Sequence, residues 1–106
     1  MPYLYALEAQ VYAVSEGDNV TMKCRALYGF EKNQKIKWSW YRDDKKILNN
    51  HQIRIEVDHI LYESALKISN CTKNNTGTYK CVIKNIYGIA SRTMRFKVKG
   101  IISKII

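Results

Sequence analysis

Along most of this chain apolar and polar side chains alternate one by one, the period of an extended strand, in which successive side chains point to opposite faces. Val20, Met22 and Cys24 alternate with Thr21, Lys23 and Arg25 over 19–25, after the turn-forming run Glu16, Gly17, Asp18. Ile36, Trp38 and Trp40 alternate with Lys35, Lys37, Ser39 and Tyr41 in the next strand. A turn from Asp43 to Lys46 leads to a short strand at Ile47 and Leu48, and 53–57 supplies another. Over 62–69, Leu66 and Ile68 face inward and Lys67 outward. A corner over 72–77 then delivers Tyr79, Cys81 and Ile83 to the core, with Lys80, Val82 and Lys84 facing away. A turn over 85–88 reverses the chain into a last strand whose inward pair is Phe96 and Val98 and whose outward residues are Arg95, Lys97 and Lys99. Leu7 to Val14 alternates more weakly and is expected to supply the first strand, in the same sheet as 19–25, 53–57 and 62–69.

Short strands at this spacing, with no helical period between them, predict an all-β fold of two packed sheets with Greek-key connections. The 106 residues are enough for one core, so a single domain is expected over 1–100. The remaining 101–106, rich in Ile, form an apolar tail that reads as the start of a longer segment, with a transmembrane helix one candidate. No stretch approaches the roughly 20 consecutive apolar residues of a spanning helix, so membrane contact is expected only through a segment outside this chain.

Several short motifs carry a family likeness: Glu16-Gly17-Asp18, Trp40-Tyr41-Arg42-Asp43, Leu66-Lys67-Ile68, Thr76-Gly77-Thr78-Tyr79-Lys80-Cys81 and Asn85-Ile86-Tyr87-Gly88. Together they resemble the I-set of the immunoglobulin superfamily over nearly the whole chain. Within it, 38–42 and 95–100 followed by the apolar tail look like the membrane-proximal domain of the basigin, neuroplastin and embigin group, adhesion glycoproteins and membrane-protein chaperones. The resemblance implies an inter-sheet disulfide between Cys24 and Cys81, a core signature of Trp40, Leu66 and Tyr79, and a tyrosine corner two residues before the second cysteine. Two positions depart from the family pattern. Asn75 stands where the family usually has Asp, so the customary ion pair, with Arg54 as the natural partner here, is expected to become a neutral hydrogen bond. The 28–34 segment lacks the family's prolines and predicts a long loop.

A Cys24–Cys81 bridge implies an oxidising compartment. Cys71 is then left over; an intermolecular disulfide or a reactive thiol is one reading, and a small buried hydrophobe is the expected one. Asn19-Val20-Thr21, Asn70-Cys71-Thr72 and Asn74-Asn75-Thr76 meet the acceptor rule for N-glycosylation. Asn19 is expected to point out from the sheet of the first strand, and Asn70 and Asn74 to lie at the following corner.

Lys and Arg number 18 against 9 Asp and Glu, an excess that points to an acidic partner. Alternation places Lys35, Lys37, Lys80, Lys84, Arg95, Lys97 and Lys99 on the outward side of strands free of glycan acceptors. That set is the candidate binding face, for a protein, a homophilic contact or a sulfated glycan; the plainer reading is a solvated strand face. Nucleic acid is not expected, because no recognised helix, zinc or RNA-binding motif accompanies the charge. His51 and His59 have no ligand-like spacing to Cys, Asp or Glu, and no Gly-rich phosphate loop occurs, so neither a cofactor, a metal nor catalysis is expected. The function expected is a non-catalytic recognition or adhesion module of a cell-surface glycoprotein, on the extracellular side of the plasma membrane or secreted. The alternatives are a structural module of an intracellular muscle or cytoskeletal protein and a secreted ligand-binding domain.

Overall fold

The computed structural model describes residues 3–4, 10–28 and 35–100; most of the 28–34 loop and the 101–106 tail, whose roles were expectations above, lie outside the described residues. The elements in order are β1 (Tyr3–Leu4), β2 (Gln10–Ser15), β3 (Val20–Tyr28), β4 (Lys37–Arg42), β5 (Lys45–Lys46), β6 (Ile53–Asp58), β7 (Glu63–Ile68), a 3-10 turn (Lys73–Asn75), β8 (Gly77–Asn85) and β9 (Gly88–Lys99). They form a four-stranded sheet in the order β1-β3-β7-β6 and a five-stranded sheet in the order β2-β9-β8-β4-β5. The fold is the all-β sandwich expected.

Its core is built from the inward half of each alternating strand. Met22 and Cys24 from β3, Leu66 and Ile68 from β7, Trp40 from β4, Tyr79, Cys81 and Ile83 from β8, and Met94, Phe96 and Val98 from β9 are all buried. The Cys24–Cys81 disulfide ties β3 to β8 and so pins one sheet to the other. Tyr79 meets Phe96 edge to face, with ring centroids 5.8 Å apart. Its hydroxyl donates to the Asn75 carbonyl at 2.6 Å, closing the tyrosine corner. Burial pushes the Tyr79 hydroxyl up from the usual phenol range, which keeps it protonated and donating.

Four expectations need correcting. First, Gln10–Ser15 lies in the other sheet, pairing in parallel with β9 from Gln10↔Met94 to Ser15↔Lys99. That pairing gives β9 partners on its free side, where an unpaired row of N–H and C=O groups would otherwise stand exposed. Second, the turn after β4 contains only Asp43 and Asp44, both left-handed at φ 47° and 68°, the geometry of a two-residue hairpin whose twist suits the flanking strands. The short strand is therefore Lys45–Lys46, with Arg42 opposite Lys45 and Tyr41 opposite Lys46, and Leu48 is exposed. Third, Asn75 pairs with Gln52 and not with Arg54: the Gln52 amide donates to Asn75 Oδ1 at 3.0 Å. The same oxygen accepts the Thr72 N–H at 2.8 Å. Arg54 faces away on β6, opposite Lys67, so it cannot reach the corner. Fourth, Lys35 precedes β4 and is not a strand position.

The connection between β6 and β7 is held by one carboxylate. Asp58 Oδ1 accepts the N–H groups of Leu61 at 3.0 Å and Ile60 at 2.9 Å, and these bonds hold its carboxyl below the usual range. A carboxyl whose pKa is lower in the folded state stabilises the fold fully above its ordinary value near 4, and that contribution is lost as pH falls through the lowered native value. Glu56, lowered by its bond to Lys67, adds to the same trend. Thermal midpoints measured from about pH 5 down to about pH 2 are expected to fall, and to fall less steeply in Asp58→Asn, which carries no titrating charge there. Parallel curves for the two proteins would count against this role for Asp58.

Candidate functional site

Charge is divided unequally between the two sheets. The five strands of the larger sheet contain ten basic residues and no acidic one, whereas the smaller sheet contains four basic and three acidic residues. Among the described residues both ion pairs, Lys67–Glu56 at 2.8 Å and Arg25–Glu63 at 3.7 Å, lie on the smaller sheet. Its charges are matched internally. Those of the larger sheet are not; acids flank it at its margins, Asp43 and Asp44 in the β4–β5 hairpin and Glu16 just after β2, where the Glu16 N–H donates to the Lys99 carbonyl at 3.0 Å.

The strand register shows how the basic side chains are arrayed on the outer surface. Lys37 lies opposite Lys84, Ser39 opposite Val82, and Tyr41 opposite Lys80, while Arg95 lies opposite Thr78. Lys97 and Lys99 continue from Arg95 along β9, beside Ala13 and Ser15 of β2, two small exposed residues that leave them accessible. Lys80 holds its ammonium 5.9 Å from the centre of the Tyr41 ring, a contact worth about 0.5–1 kcal/mol at an exposed site, which fixes its position in the middle of the array. Six of the seven residues proposed from alternation are thus on one surface, and Lys35 stands just before it, exposed. Lys46 belongs with them and was missed. The tight Asp43-Asp44 hairpin brings it opposite Tyr41, and an Asp-Asp pair followed by two lysines was the available signal.

The three glycan acceptors gather elsewhere. Asn19 is not an outward position of the smaller sheet; it precedes β3, and its Oδ1 accepts the Asn70 N–H at 2.9 Å. Asn70 is exposed in a left-handed conformation, φ 50°, and Asn74 is exposed in the 3-10 turn. All three side chains therefore crowd one end of the sandwich. There Gly17 donates to the Cys71 carbonyl at 2.8 Å and the Cys71 N–H donates to Asp18 at 2.9 Å. Cys71 is buried and unpaired, and burial raises its thiol above the usual range.

An open cleft of about 910 Å³ runs beside this end, lined by Arg42, Gln52, Asn74 and Asn75 among others. Its polar walls bond to each other: Arg42 donates to the Asn74 carbonyl at 2.7 Å, and Gln52 to Asn75 and to the Ser69 carbonyl at 3.2 Å. The outer surface of the larger sheet is the better site.

The family model for the immunoglobulin domain matches residues 2–85. The chain belongs to this family. The immunoglobulin domain is 31% identical to the Zwei Ig domain protein zig-4 of Caenorhabditis elegans over 74 residues, 70% of this chain and 25% of that protein. It is 31% identical to the cell adhesion molecule Dscam1 of Drosophila melanogaster over 98 residues, 87% of this chain and 4% of that protein. To the membrane-bound isoform of pro-neuregulin-1 of Xenopus laevis it is 27% identical over 86 residues, 76% of this chain and 12% of that protein. The domain spans a quarter or less of each of these relatives. Among solved structures it superposes on titin M4 with a TM-score of 0.77 at 20% identity, covering 92% of this chain and 95% of that one. Titin I67–I69 gives 0.78 at 22% identity, covering 93% and 33%. These likenesses show the fold alone.

Proposed function

We propose that this immunoglobulin domain is a non-catalytic recognition module of a cell-surface or secreted glycoprotein, and that it engages an acidic partner through the outer surface of its five-stranded sheet. The observation that carries the reading is the unmatched charge of that sheet: ten basic residues and no acidic one within its strands, seven of them (Lys37, Lys46, Lys80, Lys84, Arg95, Lys97 and Lys99) at outward positions. Complementary potentials steer association and select partners. The same argument disfavours a second copy of the domain as the occupant, because facing two such surfaces would oppose like charges across the whole contact. The disulfide supports an oxidising compartment, and Asn19, Asn70 and Asn74 are exposed acceptors whose glycans would project from the end of the sandwich and leave most of the basic surface bare. The likeness to a cell adhesion molecule and to a membrane-bound growth-factor precursor points the same way.

Charge reversal tests the reading. Lys80→Glu with Lys97→Glu is expected to weaken retention on a sulfated or carboxylated matrix and binding to native cell surfaces by about tenfold or more at low salt, with the loss shrinking as salt rises. Both side chains lie on the outer surface, so the thermal midpoint should stay within a few degrees of wild type. Binding unchanged by the reversal would remove the surface from consideration.

A further inference from the structure

The arrangement of the basic residues carries information about the shape of the partner as well as its sign. Along β9, Arg95, Lys97 and Lys99 occupy alternate positions. Along β8, Lys80 is two residues beyond Thr78, the residue opposite Arg95, and Lys84 is four further on, beside Lys37. At about 3.3 Å per residue the charges from Lys99 to Lys84 extend roughly 33 Å along the strand axis. Across it they are narrower: Arg95, Lys80, Tyr41 and Lys46 occupy four neighbouring strands, β9, β8, β4 and β5, about 14 Å wide at the roughly 4.8 Å strand spacing. The charges therefore form a stripe about twice as long as it is wide. Between Lys80 and the Lys37–Lys84 pair lies the row of Ser39, Val82 and Ser91, which is free of charge and of large side chains.

We propose that the occupant of this stripe is a linear sulfated polysaccharide lying parallel to the strands. This rests on the reading of the surface given above and specifies its ligand. A flexible chain bearing regularly repeated anions can reach both charged ends and cross the low waist, and each group it engages makes the next engagement intramolecular. Six of the seven cations, all but Arg95, are lysines, point charges that suit sulfate groups approaching from many directions and do not impose the planar bidentate geometry of a guanidinium. A single-stranded nucleic acid would be held by stacking its bases on exposed aromatic rings. Among the described residues the stripe offers two rings on either side of its charge-free row, Tyr41, half-buried with Lys80 above it, and Tyr87, exposed in the hairpin beyond Lys84, and no run of rings for successive bases.

The test uses size-fractionated heparin fragments and calorimetry or surface plasmon resonance on the glycosylated protein. Affinity is expected to rise with fragment length, by about tenfold or more in total, until the fragment spans roughly 33 Å, and then to level off. Lys37→Glu with Lys84→Glu, at the far end of the stripe, is expected to weaken the long fragments about tenfold and to move the plateau to shorter lengths. An unchanged thermal midpoint would show that this variant is folded. Affinity independent of fragment length would overturn the proposal, as would single-stranded DNA of equal length binding as tightly as heparin. Failure to bind heparin, together with capture of a compact acidic protein that Lys80→Glu with Lys97→Glu abolishes, would overturn the polysaccharide and leave the acidic-partner reading standing. Loss of all polyanion binding sensitivity to charge reversal would overturn both.

Discussion

Replacing Cys24 and Cys81 together by alanine is expected to lower the unfolding free energy by about 4 kcal/mol, the chain-entropy estimate for opening a loop of this length. The bridge spans 57 residues of sequence and joins the two sheets at the centre of the core. A domain of this size has a total stability of roughly 5–15 kcal/mol, so the loss is a large share of it. At about 4–8 °C per kcal/mol for small domains, a fall of roughly 15 °C or more in thermal midpoint is the expected reading. The paired replacement matters, because removing one sulfur alone would leave the other as a free thiol in the core.

Cys71 provides an independent readout of the same experiment. It is buried, its thiol is held above the ordinary range, and its backbone is locked to the Gly17–Asp18 turn. In the double variant it is the remaining cysteine, so its alkylation reports opening of the fold and nothing else. Labelling should be slow in the wild-type protein and accelerate by several hundredfold in the variant, the factor that about 4 kcal/mol implies when opening is a rapid equilibrium. Equal labelling rates would mean that the bridge contributes little to the folded state.

Trp40→Ala is expected to cost about 3–5 kcal/mol, the range for deleting a large aromatic side chain from a packed core. Trp40 is the largest fully buried side chain, and it has a polar end as well as an apolar body. Its indole N–H donates to Ser64 Oγ at 2.9 Å, and the Ser64 hydroxyl donates in turn to the Glu56 carbonyl at 3.0 Å. This relay crosses from β4 of the larger sheet to β7 and its neighbour β6 in the smaller one. Ser64→Ala should therefore cost about 1–3 kcal/mol, although it removes a single oxygen, because it strands a buried indole donor. Trp40→Phe removes the donor itself. Adding Ser64→Ala to Trp40→Phe should then cost clearly less than Ser64→Ala alone, and denaturant unfolding of the three proteins measures the difference. Additive losses would show that the hydrogen bond carries no weight.

The two sheets differ in what they reveal about function. Burial is similar on their inner faces, where Met22, Leu66 and Ile68 meet Trp40, Tyr79 and Phe96. Outside, one sheet neutralises its own charges by ion pairs and the other leaves them for a partner. An ion pair on an exposed sheet contributes little to stability. Its consequence here is to make the smaller sheet electrostatically plain, so that the larger sheet dominates the field around the domain.

Which side chains point inward could be read directly from the sequence, because that choice follows from the two-residue period of each strand and needs no knowledge of its neighbours. Met22, Cys24, Leu66, Ile68, Tyr79, Cys81, Ile83, Phe96 and Val98 are buried where alternation puts them. Lys37, Lys80, Lys84, Arg95, Lys97 and Lys99 lie on the opposite side for the same reason. Lateral neighbours were a different matter. That Gln10–Ser15 runs parallel to β9, that Lys46 stands opposite Tyr41, that Gln52 and not Arg54 meets Asn75, and that Asn19 touches Asn70 across 51 residues all depend on how separate strands and turns are set against each other. Ser64 belongs with them: nothing in its own segment marks it as the acceptor for an indole 24 residues away. Alternation is a local consequence of backbone geometry and survives in one dimension, whereas register and sheet order are fixed only when two hydrophobic faces close on each other. The sequence by itself determined an all-β sandwich and a set of outward cations; the tertiary structure alone decided that those cations form one narrow stripe, because only packing brings β9, β8, β4 and β5 side by side.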